Sequence, residues 1–173
     1  MRTGNIFLIF LIALLACSNP EQTKFNLLQD GEAFASFQVS GSEFYSDTTL
    51  FKGTVFIYNE SFTINLFGND QSNIMLTLPK SANLDVPKPR KIKISAKNQL
   101  ESDLMFGKID GAASGKGIGY IITEGEANLV QFDSTKILIK YKGKCSEINN
   151  YMDETKWENL QGFLTIKKPD IKQ

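Results

Sequence analysis

Phe62-Thr-Ile-Asn-Leu-Phe-Gly68-Asn-Asp-Gln-Ser72-Asn-Ile-Met-Leu-Thr-Leu78 decides the fold class. Phe62, Ile64 and Leu66 alternate with Thr63 and Asn65, and Ile74, Leu76 and Leu78 alternate with Met75 and Thr77. A period of two puts successive side chains on opposite faces, so each run reads as a strand with one buried and one wet face. Gly68 to Ser72 joins them with residues that tolerate turn geometry and bond their own backbone. A short connection between two such strands implies a hairpin, and hence antiparallel pairing.

The same period extends along the chain. Ile92 and Ile94 sit between Lys91, Lys93 and Ser95; Ile137, Ile139 and Tyr141 face one way while Lys136, Lys140 and Lys142 face the other. Strands are also expected at Ala33–Ser40, Gly53–Tyr58, Leu104–Ile109, Gly119–Glu124, Glu126–Phe132 and Gly162–Lys167. Turns are expected at Asn59-Glu60, Gly111–Gly115 and Asp133-Ser134, and Pro79, Pro87 and Pro89 stop Ser81–Arg90 from continuing as a central strand. Helix is an option at Glu21–Gln29 and at Glu147–Leu160, where Asn149-Asn150 equally suits a loop with one helical turn. The expected architecture is one all-β domain, an antiparallel β-sandwich or flattened barrel of about 8–10 strands.

Residues 1–16 read as an address rather than as part of that domain. Arg2 precedes the unbroken apolar run Ile6–Leu15, which is short for a permanent span of about 20 residues but suits a signal peptide. The run ends in Leu14-Leu15-Ala16-Cys17, which resembles the bacterial lipobox. That resemblance implies cleavage before Cys17, a diacylglyceryl group on its thiol and acylation of the new amino terminus. Two or three acyl chains anchor a protein stably where one does not. The expected division is a signal peptide at 1–16, a lipidated Cys17 and polar tether at 17–30, and a β domain at 31–173.

Composition narrows the chemistry. The 173 residues hold 19 basic and 19 acidic side chains, two cysteines and no histidine. Without imidazole there is no Ser-His-Asp or Cys-His catalysis and no histidine-ligated metal. The balanced charge lacks the basic surplus that nucleic acid demands. Neither a metal site nor a cofactor is expected. With Cys17 lipidated, Cys145 has no partner in the chain and reads as a buried apolar residue.

A wider resemblance rests on Phe34-Ala-Ser-Phe-Gln-Val-Ser-Gly41, Phe62-Thr-Ile-Asn-Leu-Phe-Gly68, Gly125-Glu-Ala-Asn-Leu-Val-Gln-Phe-Asp133, Ile139-Lys-Tyr-Lys-Gly143 and Leu160-Gln-Gly-Phe-Leu-Thr-Ile166 behind the lipobox. The layout is similar to small β-sandwich lipoproteins of Bacteroidota. It implies the fold and a place in the cell envelope, the outer membrane before the inner, and it transfers no catalytic residue.

The remaining motifs are weak. Gly115-Lys116-Gly117 lacks the upstream glycine and the following Ser or Thr of a phosphate loop. The oxygen-rich stretches Gly68–Asn73 and Asp103–Asp110 lack calcium-loop spacing and read as turns. No serine has a lysine three residues on, as S-x-x-K catalysis requires. Glu124 and Glu126 are the carboxylate pair on which a rival reading, a carbohydrate-active hydrolase, would depend. Trp157 and Tyr151 lie in the irregular segment Ser146–Asn159, where they suit stacking on a glycan or anchoring an envelope protein; alternatively Trp157 plugs an open end of the domain. Thr48 and Ser134 follow acids in expected turns and resemble the Bacteroidota O-glycosylation signal. The overall expectation is a membrane-anchored, non-catalytic binding or structural module.

Overall fold

The computed structural model describes residues 19–79, 90–95, 103–109 and 116–172. The signal segment, Cys17, most of the Ser81–Arg90 connection and Gly111–Gly115 lie outside the described residues. One helix precedes the strands: α1, Pro20–Leu27. The strands are β1 (Glu32–Val39), β2 (Ser42–Glu43), β3 (Phe51–Ile57), β4 (Ser61–Gly68), β5 (Asn73–Pro79), β6 (Arg90–Ser95), β7 (Asp103–Ile109), β8 (Gly117–Phe132), β9 (Lys136–Glu147), β10 (Glu158–Lys167) and β11 (Asp170–Lys172).

Of the two expected architectures the chain takes the barrel. Antiparallel pairing runs β3-β4-β5-β7-β8-β9-β10-β1, and the ring closes where Glu32 and Ala33 of β1 meet Lys52 and Phe51 of β3. β1 covers only the start of β3. The rest of that edge, Thr54 to Phe56, is taken by β11 in the parallel sense. β6 pairs with Glu124–Leu129 of β8, beyond the part of β8 that pairs with β7.

Gly119–Glu124 and Glu126–Phe132, expected as separate runs, are parts of one long strand, β8. Register shifts fall at Ile122/Glu124 and Leu129/Gln131. Gly125, at φ +144°, faces Gly143 across the ladder. Both glycines are needed because β8 and β9 approach too closely for a Cβ on either. β10 also starts earlier than expected, at Glu158. The irregular segment shrinks to two short 3-10 turns, Ile148–Asn150 and Glu154–Lys156.

An eight-stranded barrel has an interior just wide enough for side chains to fill. Here they are largely aromatic. Phe37, Phe51, Phe106 and Tyr141 point inward and are buried. The Phe37 ring lies 4.9 Å from that of Phe106 and 5.7 Å from that of Tyr141. Phe62 and Phe132 meet at 4.6 Å across the core. Phe44 and Tyr45, on the segment after β2, enter this cluster and fill the barrel end beside Phe51 and Phe106. They do there what Trp157 would do in the plug reading; Trp157 itself is only half-buried.

The stretch read as a tether is also structured. Asn19 caps α1 by accepting from the Glu21 amide at 3.1 Å, and Pro20 occupies the first turn, where its missing N–H costs nothing. Glu21 pairs with Lys140 at 2.7 Å, Lys24 with Asp47 at 3.4 Å, and Lys24 lies 4.5 Å over the Phe34 ring. The outward row Phe34–Thr165–Leu138 is buried accordingly. The helix docks on the barrel wall instead of hanging from it.

Candidate functional site

The outward face of β4, β5, β7 and β8 should be polar, since the inward positions already hold the core. It is not. Register places Asn65, Met75, Met105 and Ile121 in one outward row and Phe67, Asn73, Gly107 and Gly119 in the next. Gly107 and Gly119 pair directly, so the second row sinks to backbone level between Phe67 and Ile148. The missing Cβ of Gly119 is what admits Ile148, whose Cδ1 would stand 2.9 Å from it. The result is a groove of about 690 Å³ floored by thioether, aliphatic and glycine surface and edged by Asn65, Gln71 and Asn73.

Its apolar character is not an average surface property. Among the described residues eight large hydrophobic side chains are exposed, and four of them, Phe67, Met75, Ile109 and Ile148, line this groove. Clustering of that kind marks an interaction surface, whereas single exposed apolar residues need no explanation. Lys108 is the one charged side chain on its described lining. Its ammonium turns away to donate to the Phe44 carbonyl and stands 4.7 Å over the Phe44 ring. The described lining therefore offers apolar contact and amide hydrogen bonds.

The residues singled out from the sequence lie elsewhere. The Trp157 indole donates to the Tyr151 carbonyl at 3.0 Å, so the two are joined, both half-buried, with the Lys144 ammonium 5.9 Å over the indole. Their loop reaches the groove through Ile148. Glu124 pairs with Lys144 at 2.9 Å and Glu126 with Lys91 at 3.1 Å, both on the outer wall rather than facing a shared pocket. In the Gly68–Asn73 turn, Asp70 accepts from the Thr49 hydroxyl at 2.7 Å and the Ser72 amide at 3.1 Å. Burial opposes ionisation there, but these bonds together hold its pKa below the usual carboxylate value. Cys145 is buried, and burial with the nearby Glu158 carboxylate pushes its thiol up to about 12, which keeps it protonated and inert. Thr48 and Ser134 are both exposed in turns.

No family model matches this chain, and neither a search of curated proteins nor one of solved structures returns a match. The site is thus read from its own geometry. Phe67, Met75, Met105 and Ile148 were missed as site residues because each strand was read for its buried phase. The available signal was the opposite one: apolar residues on the wet phase of β4, β5 and β7, beside glycines at 107 and 119.

Proposed function

We propose that this protein is a lipid-anchored lipoprotein of the cell envelope whose barrel is a binding module, with the groove of β4, β5, β7 and β8 as its seat for an apolar segment of an envelope partner. The observation that carries the reading is the concentration of exposed Phe67, Met75, Ile109 and Ile148 over a glycine-lowered floor. The barrel interior is filled with aromatic side chains, so binding falls to the outer wall. Anchoring is supported by Leu14-Leu15-Ala16-Cys17 behind a short apolar run, and the Bacteroidota resemblance favours the outer membrane. Among the described residues no helix is long and apolar enough to cross a membrane.

Two measurements test it. Cys17→Ala should leave the precursor unprocessed or release the protein from the membrane fraction; a processed, membrane-bound variant would count against the anchor. A photo-crosslinking amino acid at Phe67 should give a discrete adduct in the native envelope, and one at Gln161, on the opposite wall, should not. Absence of an adduct at Phe67, or equal adducts at both positions, would count against the groove.

A further inference from the structure

Two features that groove binding leaves unused meet on one side of the barrel. The first is the start of α1. Glu21 pairs with Lys140 at 2.7 Å, and the Lys136 ammonium donates to the Gln22 side chain at 3.2 Å, so the helix begins over β9. Cys17 lies two residue steps before the capping Asn19, about 7 Å at full extension. Acyl chains on Cys17 would therefore leave the protein beside β9.

The second feature is the charge of that wall. β9 carries Lys136, Lys140, Lys142 and Lys144 on its outward phase, and β6 carries Lys91 and Lys93. Lys142 stands across from Glu126, which in turn stands across from Lys93. Among the described residues Lys140, Lys144 and Lys91 pair with Glu21, Glu124 and Glu126, and Asp133 accepts from the Lys136 amide at the start of β9. In the other direction along that row, through Gln161 and Gln38, the next acid is Glu43 on β2. After residue 16 the rest of the chain holds twelve basic and sixteen acidic residues. The described part of the wall is thus net positive, on the side where the chain would be anchored.

We propose that the lysine wall of β6, β8 and β9 is a second attachment surface, lying against anionic lipid headgroups of the bilayer that holds the acyl chains. The inference rests on lipidation of Cys17. Anionic headgroups attract basic residues within a Debye length of the surface, about 8 Å at physiological salt. A two-residue leash holds the start of α1, and with it Lys136 and Lys140, near that range, and the rest of the row continues from them. In the ring of eight strands β9 lies opposite β4, so the same contact places the Phe67 edge of the groove on the side away from the bilayer.

The test uses the processed lipoprotein reconstituted into vesicles of phosphatidylcholine, with or without one-third phosphatidylglycerol. A fluorophore is attached at Gln161→Cys on β10, beside the wall, or at Asn73→Cys on β5, four strands around the ring. Cys145 is buried and Cys17 is acylated, so only the introduced thiol reacts. With a headgroup-bound quencher in anionic vesicles, quenching at position 161 should exceed that at 73 by about threefold or more. High salt, or Lys93→Glu with Lys142→Glu, should bring the two together; the salt arm decides by itself if the reversed variant fails to fold. Equal quenching at both positions, or the same ratio in neutral vesicles, overturns the orientation while leaving the anchor standing. An N-terminal mass without acyl groups overturns the anchor and this inference together.

Discussion

The Tyr45 hydroxyl donates to the Asn73 carbonyl at 2.7 Å, tying the segment that plugs the barrel end to the first residue of β5. The donor comes from a stretch outside the eight-strand ring, and the acceptor belongs to the wall that carries the groove. A weaker contact runs from the same hydroxyl to the Gly107 carbonyl at 3.4 Å. Burial pushes the phenol far above its usual pKa, so it remains a donor at every physiological pH.

Removing that donor while keeping the ring separates hydrogen bonding from packing. Tyr45→Phe should cost about 1 kcal/mol in urea unfolding. Phe44→Ala, which empties part of the plug against Phe106 and Tyr120, should cost about 3–5 kcal/mol. If both changes were nearly neutral, the segment would not be part of the core.

Gly125 and Gly143 make a sharper case. A Cβ on Gly143 would stand 2.1 Å from the Glu124 carbonyl oxygen, and one on Gly125 2.4 Å from that of Lys142. The clashing atoms are backbone and cannot turn aside. Gly143→Ala should therefore destabilise by about 3 kcal/mol or fail to fold, while Gly117→Ala, with open space at its Cβ, should stay within about 0.5 kcal/mol. Thermal unfolding of the two variants side by side checks this.

Asp133 sets an acid limit on the β8–β9 hairpin. Its carboxylate accepts from the Thr135 hydroxyl and amide, the Gln131 side chain and the Lys136 amide, which lower its pKa to about 2. A pKa depressed in the folded state adds stability above the unfolded value of 3.8. That contribution should disappear as pH falls from about 4 toward about 2. Asp133→Asn has no carboxylate to titrate, so the stability gap between wild type and variant should narrow over that window. A gap independent of pH would show that these bonds do not depend on the charge.

A good part of this protein was legible along the chain. β4, β5, β6 and the start of β9 lie where the alternation of Phe62, Ile74, Ile92 and Ile137 puts them, because facing alternates residue by residue whatever the neighbouring strand. The turns at Asn59-Glu60, Gly68–Ser72 and Asp133-Ser134 were equally local. The two runs on either side of Gly125 were listed apart because its cross-strand partner, Gly143, is invisible along the chain. The helix at Pro20–Leu27 carried ordinary capping signals, but its docking rests on Lys140, Lys136 and Phe34, distant in sequence.

By itself the sequence determined most of the strands, though not β2 or β11, the core-facing phase of β4, β5, β6 and β9, and which chemistries its histidine-free composition excludes. Tertiary structure alone decided that the sheet closes, since closure needs β1 to pair with β3 on one side and, on the other, with β10, where Ala33 meets Ile166 from the far end of the chain. It also decided that Phe44 and Tyr45 fill the end while Trp157 stays at the rim. Phe67, Met75, Met105 and Ile148 become one groove only after β4, β5, β7 and β8 are set in register. Facing is local; adjacency between strands depends on long-range pairing, and both the groove and the lysine wall consist of adjacency.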